Sequence, residues 1–443
     1  MSRRSRRRLP DTPFEADISG LSHDGRGVTD IEGKKVFVHG ALPGERVRFR
    51  LTARQRSFDE GEVTEVLQAS PDRVEPRCPH FQFCGGCALQ HQAPQAQILA
   101  KQDTLLQNLR RIGQVEPEDV LPPLSGPQWH YRRKARLSVR RVTAKQRVLV
   151  GFRERRGRYV ADMDSCEILD SRAARLLPRL PALIDSLSCP ERIPQIEVAC
   201  GDEICALVFR HLEPLTADDH ERLRAFAIDA DVAVLLQPGG PDTITALEPE
   251  SVTLAFTLPA HDIELVFGPA DFIQVNAELN RAMIDLALEH LRPEPQHAVL
   301  DLYCGLGNFT LPLARRAASV VGVEGDAALV GRAAANARHN GLDNVVFHTA
   351  DLAGDLTAVP WLRGSYDRVL LDPPRSGAEV VLPAVAASGA ERIVYVSCHP
   401  ASLARDAGIL TSRHGYRLEA AGVMDMFPHT GHVESIAVFG RAG

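Results

Sequence analysis

Cys398 and Glu434 are the two side chains whose types could do chemistry together. Cys398 lies in Val396-Ser397-Cys398-His399-Pro400, where a strand-like run gives way to a helix start. The N-terminal dipole of such a helix would favour a thiolate. Glu434 closes Phe427-Pro428-His429-Thr430-Gly431-His432-Val433-Glu434, a loop holding an acid and two imidazoles. A thiolate can add across an electron-poor ring double bond and make the neighbouring carbon enolate-like, ready to take an electrophile, and a carboxylate can then remove the proton from that carbon so that the thiol leaves. One cysteine and one glutamate are the minimum set for those steps.

A methyl donor needs its own site, and a second group of residues suggests one. Asp301-Leu302-Tyr303-Cys304-Gly305-Leu306-Gly307-Asn308 sits where a first strand turns into a helix, a shortened relative of the dinucleotide fingerprint. Glu324 ends the next strand, where an acid would bind both ribose hydroxyls, and Asp351 ends the third, beside where an adenine would lie. Acids at successive strand ends repel a pyrophosphate. They favour S-adenosylmethionine, a cationic sulfonium without phosphate, over NAD; a domain binding NAD or no ligand is the alternative. Asp372-Pro373-Pro374-Arg375 follows the fourth strand. Amino-group methyltransferases place an aromatic after a similar Asp-Pro-Pro, so Arg375 argues against methylation of an exocyclic amine.

Cys78, Cys84 and Cys87, with Cys166 much later, form the other constellation. Four thiolates can hold zinc or an iron–sulfur cluster, and spacing does not decide between them. Cys189, Cys200, Cys205 and Cys304 read as structural thiols. Nine cysteines in 443 residues do not make a secreted disulfide scaffold, so a reducing, intracellular setting is expected.

The elements that must position these groups fall into three regions. Short β-like runs separated by turns fill residues 11–73, for example Lys35-Val36-Phe37-Val38 and the period-two alternation of Val47 to Leu51, and suggest a small barrel of the oligonucleotide-binding kind. Residues 74–269 open with the Cys/Pro/Gly-rich loop, continue through a helix predicted over Gln95–Ile112, and include a basic β-rich segment from Trp129 to Tyr159. Aromatics interleaved with the cations there would suit RNA backbone contacts plus base stacking. Residues 270–443 alternate apolar strands and helices from Val299 onward, the signature of a doubly wound parallel sheet, and end in two strand-like runs, Val423–Met426 and Val433–Phe439, suggesting a hairpin at the sheet edge.

The net charge of −6 seems to discourage a polyanionic partner, but it hides a split. Residues 1–160 hold 30 Lys/Arg against 18 Asp/Glu, and residues 161–443 hold 21 against 39. The first part therefore faces the polyanion. Met1 to Arg8 is basic but is not followed by an apolar stretch, so it reads as a solvated tail or a phosphate contact, not a secretory signal. No apolar run has the length of a membrane span.

Phe272-Ile273-Gln274-Val275-Asn276, the Asp301–Asn308 turn, Asp372–Arg375, Ser397-Cys398 with Pro400 and Leu403–Asp406, and His429–Glu434 together resemble the RNA uracil-C5 methyltransferase family, in the family's order. Gly25 to Leu67 resembles the TRAM domain, an oligonucleotide-binding (OB-like) barrel, and the four cysteines resemble the [4Fe–4S] ligands of the branch acting on 23S ribosomal RNA. The resemblance implies a TRAM barrel, a central β-rich iron–sulfur domain and a C-terminal Rossmann-like methyltransferase domain, in a cytoplasmic monomer without a membrane or obligate protein partner. It implies Cys398 as nucleophile, Glu434 as base, and Gln274, Tyr303, Asn308, Glu324, Asp351 and Asp372 lining the S-adenosylmethionine site, with Cys78, Cys84, Cys87 and Cys166 on the cluster. His399 departs from the pattern, since the family usually has Asn after the nucleophile, and this leaves open the hydrogen bond that Asn would supply.

Overall fold

The computed structural model describes residues 9–442 except 11, 249–251, 355, 357 and 358; the basic run Met1–Arg8 lies outside the described residues. Alternation of apolar and polar side chains builds the first layer. In Arg46–Arg54, Val47, Phe49 and Leu51 turn inward while Arg46, Arg48 and Arg50 face outward. This strand pairs antiparallel with Phe58–Gln68 through three register shifts, which bend the ladder. Phe14–Asp17, Gly20–Leu21, Gly27–Ile31 and Lys34–His39 complete a six-stranded sheet around Ile18, Val36, Val38, Val47 and Phe49.

A second six-stranded sheet holds the middle of the chain, from Lys134–Val142 and Arg147–Gly151 to Ala233–Gln237 and Thr245–Ala246. Its inner strands, Gln195–Cys200 and Cys205–Arg210, place Cys200 opposite Cys205. The two are joined by a disulfide, which corrects the expectation of two structural thiols: sequence spacing does not reveal that a hairpin sets them side by side. Cys189 and Cys304 are free and buried.

The third sheet has eight strands. Val345–Thr349, Ser319–Glu324, Ala298–Leu302, Arg368–Leu371 and Arg392–Ser397 run parallel in that order; Glu434–Arg441, Tyr416–Met424 and the short Asp119–Val120 follow. The expected hairpin is present, but its first strand starts at Tyr416, and its second inserts antiparallel between Arg392–Ser397 and Tyr416–Met424. Antiparallel insertion has a consequence for the chemistry. The carboxyl ends of the parallel strands and the amino end of Glu434–Arg441 meet at one edge, and the pairing Ser397 to Ser435 sets Glu434 beside the Cys398 turn.

The helix Pro94–Asn108 continues into a π-helical turn, Leu109–Gly113, and packs on the helix Pro400–Arg413 and the strand Tyr416–Met424. The crossing is tight. A Cβ on Gly113 would lie 2.4 Å from the Ala404 carbonyl oxygen, and one on Gly408 would lie 2.6 Å from that of Gly113, so glycine is required on both sides. A helix from early in the chain is thereby fixed against the element that starts behind Cys398. Among the described residues no helix is long and apolar enough to cross a membrane.

Candidate active site

At that edge a cavity of about 900 Å³ opens. Gln274, Tyr303, Asn308, Glu324, Asp351, Asp372, Cys398 and Glu434 all line it, so residues spread over 160 positions of sequence converge on one site. Its floor is the turn after Ala298–Leu302, where Tyr303, Gly305 and Gly307 all have positive φ (65°, 54° and 98°). For Tyr303 this is a strained conformation, held by its neighbours. Gly307 has no alternative, because a Cβ there would lie 2.3 Å from Leu311.

The acids are placed by backbone amides. Glu324 accepts from Gly305 N (3.1 Å), Gly325 N (2.7 Å) and Asp326 N (3.1 Å), which fixes its carboxylate at the cavity wall. Asp351 accepts from Ala353 N at 3.0 Å. Asn308 is locked to Asn280 by two reciprocal 2.9 Å amide bonds. Beneath the turn, Asp301 is fully buried against the Thr310 hydroxyl (2.5 Å), and burial pushes its carboxyl up to about 8. Burial and the charge of Glu324 push Asp372 up to about 7.

Cys398 and Glu434 depart from the electrostatics expected of a nucleophile and its base. Burial pushes the Cys398 thiol up, Glu434 and Asp372 push it further, and Arg375 opposes them. Within the protein alone burial and the two carboxylates outweigh Arg375, so the expected thiolate is not what the site favours. Glu434, 3% exposed, is raised well above the usual carboxylate range by burial and by Asp372, with Lys101 pulling it down. Asp301, Asp372 and Glu434 are all raised, so a cation placed among them would favour their ionised forms.

His399 resolves the sequence departure. Its Nδ1 accepts from Ser402 N at 3.3 Å and so caps the helix Pro400–Arg413, the service a short polar side chain gives at that position. Arg375 and His432 also face the cavity, with the Arg375 guanidinium 3.2 Å from His432 Nδ1. Sequence reasoning did not assign them a role, although both lie inside motifs it had singled out.

Much of the basic Trp129–Tyr159 segment is engaged inside the fold. Arg133, 4% exposed, donates to the Gln274 carbonyl oxygen (2.8 Å) and stacks over Phe256, and Lys134 donates to the Asp271 carbonyl. Arg155 lies over Phe81 and donates to the Phe81 and Cys87 carbonyl oxygens, while Arg156 reaches Glu62 of the first sheet at 2.9 Å.

Cys78, Cys84, Cys87 and Cys166 line a single small cavity with Phe81, Phe152 and Met163. The Cys84 sulfur accepts from Gly86 N at 3.4 Å. Burial first, and the neighbouring sulfurs after it, push Cys87 up to about 12 and Cys166 up to about 11. Four sulfurs facing one cavity and drawing backbone amides are a donor set of the right chemistry for a cluster. Even so, among the described residues no group of three or more His, Cys, Asp or Glu side chains is arranged as a metal site.

A largely parallel sheet with a cavity at the carboxyl edge of its parallel strands is the architecture of a ligand-binding α/β domain, and known proteins give its class. The chain belongs to the tRNA (uracil-5-)-methyltransferase family, whose profile matches residues 94–441; the TRAM domain profile matches residues 12–64. The 23S rRNA (uracil(1939)-C(5))-methyltransferase RlmD of Alkalilimnicola ehrlichii is 58% identical over 439 residues, 99% of either chain. That of Stenotrophomonas maltophilia is 54% identical over 98% of this chain and 99% of its own. The solved tRNA (uracil-54, C5)-methyltransferase of Pyrococcus abyssi, in complex with S-adenosyl-L-homocysteine, matches 96% of this chain and 100% of its own. Its TM-score is 0.73 at 22% identity, a likeness of fold.

Proposed function

We propose that this protein transfers a methyl group from S-adenosylmethionine to C5 of a uridine in 23S ribosomal RNA through a covalent bond between Cys398 and uracil C6. The convergence of Cys398, Glu434 and the strand-end acids on one cavity carries this reading. Full-length likeness to 23S rRNA enzymes favours that RNA over tRNA.

Bound in the cavity, S-adenosylmethionine would supply an electrophilic methyl group on a cationic sulfonium. Glu324 would hold the ribose hydroxyls and Asp351 would flank the adenine, while Gln274, Tyr303, Asn308 and Asp372 would line the remainder. A cation among Asp372, Glu434 and Cys398 would favour their ionised forms. The Cys398 thiolate adds to C6, and the electron pair of the C5–C6 double bond moves toward C5 and O4. C5 then takes the methyl group, leaving a neutral thioether. Glu434 removes the C5 proton; the C–H electron pair restores the double bond and the C6–S bond breaks, returning the thiolate. The uridine enters the cavity extruded from its RNA, which the TRAM barrel and the free cations of the central region hold.

The four cysteines are proposed to hold a [4Fe–4S] cluster, on the strength of their convergence on one cavity and the amide donated to Cys84. Such a cluster would tie the Cys78–Cys87 loop to the Cys166 turn. A cytoplasmic monomer fits a substrate of this kind. Mapping 5-methyluridine in ribosomal and transfer RNA from a deletion strain tests the substrate. Loss of one 23S rRNA site is expected, and loss confined to tRNA would overturn it.

A further inference from the structure

Glu434 does its work at the end of a loop, and a distant helix holds that loop. Gln97 and Lys101 stand one turn apart on the helix Pro94–Asn108, both buried. The Lys101 ammonium pairs with Asp425 at 2.6 Å and donates to the Phe427 carbonyl oxygen at 3.0 Å. The Gln97 carboxamide oxygen accepts from His429 N at 2.9 Å. Its nitrogen donates to the Leu89 and Gln92 carbonyl oxygens (3.0 and 2.7 Å) and lies 3.2 Å from His429 Nδ1.

His429 has φ of 64°, in the left-handed region uncommon outside glycine. The Ala88 and Leu89 amides donate to its carbonyl oxygen (2.8 and 2.9 Å), and the Trp129 ring stacks on its imidazole at 4.0 Å. Gln97 hydrogen-bonds both to the Leu89–Gln92 turn and to His429. The same helix packs on Pro400–Arg413, which starts two residues after the nucleophile. One element therefore sets both sides of the reacting pair.

We propose that Gln97 is a positioning residue for the base: by clamping His429 to the Leu89–Gln92 turn it fixes where the loop delivers Glu434 relative to Cys398. The inference rests on the proposed roles of Cys398 and Glu434. Release of product needs Glu434 and thiolate addition does not, so a displaced base slows release and leaves addition in place. A gross structural defect lowers both together.

The test is rapid-quench kinetics of Gln97→Met with a 23S rRNA fragment and S-adenosylmethionine, with Glu434→Gln and Cys398→Ala alongside and denaturing gels to count the covalent complex. Gln97→Met is expected to form the complex within about threefold of the parent rate. It should release 5-methyluridine roughly tenfold or more slowly, with a standing covalent band and an unchanged KM for RNA. Equal loss in both steps, or release at the parent rate, overturns the proposal. If Gln97→Met does not fold, Gln97→Asn, which keeps the carboxamide but shortens its reach to the turn and to His429, is measured in its place, and the same two outcomes apply. If Glu434→Gln traps no complex, or Cys398→Ala still forms one, it is the underlying reading that fails, and the controls show which.

Discussion

The loop that carries Glu434 also touches the first sheet, and this contact makes a quantitative prediction. An ideal Cβ on Gly431 would lie 2.5 Å from the His23 carbonyl oxygen and 2.9 Å from both Cα and C of Asp24. All three are backbone atoms, so no side chain can swing away. Gly431→Ala must therefore open the contact by about 0.9 Å to reach ordinary van der Waals distance, at a cost of roughly 1–3 kcal/mol if the strain stays local. The displacement falls three residues before Glu434, and shifts of that size near a reacting group cost on the order of tenfold to a hundredfold in rate. Circular dichroism melting and steady-state kinetics on a 23S rRNA fragment give both quantities. The expected outcome is a lower melting temperature with kcat reduced more than RNA affinity. Parent-like melting together with parent-like kcat would refute the docking of the first sheet on the Glu434 loop.

Further predictions concern the cavity and the cysteines. Arg375 pulls the Cys398 thiol down against burial, Glu434 and Asp372, so Arg375→Gln raises it further; the pH profile of covalent-complex formation should shift to higher pH, and an unmoved profile would discount the guanidinium. Glu324→Ala removes the acceptor of three backbone amides and the proposed ribose contact. Calorimetry should show S-adenosylmethionine binding weakened roughly tenfold or more with RNA binding intact, and unchanged cofactor affinity would place the ribose elsewhere. Anaerobically purified protein should be brown with a broad visible band that Cys84→Ser removes; a colourless protein with stoichiometric zinc would overturn the cluster.

The candidate cavity was legible in the sequence because most of its motifs end strands. Parallel topology gathers strand ends at one edge, so Tyr303, Glu324, Asp351, Asp372 and Cys398 needed only correct strand assignment to fall together. Glu434 was legible as a motif, but its nearness to Cys398 depends on the last strand inserting antiparallel, which the pattern of Val433–Phe439 alone does not specify. Other features were hidden for physical reasons. Gln97 and His429 are 332 positions apart, and an isolated glutamine on a helix carries no signal. Arg133 counts as one more cation in a basic run until its burial against Phe256 is seen. The helix start behind Cys398 argued for a thiolate, while the opposing charges of Glu434 and Asp372 arrive from other strands.

The central claim is that Cys398 bonds to the target uracil and Glu434 ends that bond. Peptide mass spectrometry of nuclease-digested Glu434→Gln complexes tests it most directly. The account predicts a methylated uridine on the peptide containing Cys398, absent when Cys398 is alanine. A complex mapped to another residue, or full methylation by Cys398→Ala, would contradict it.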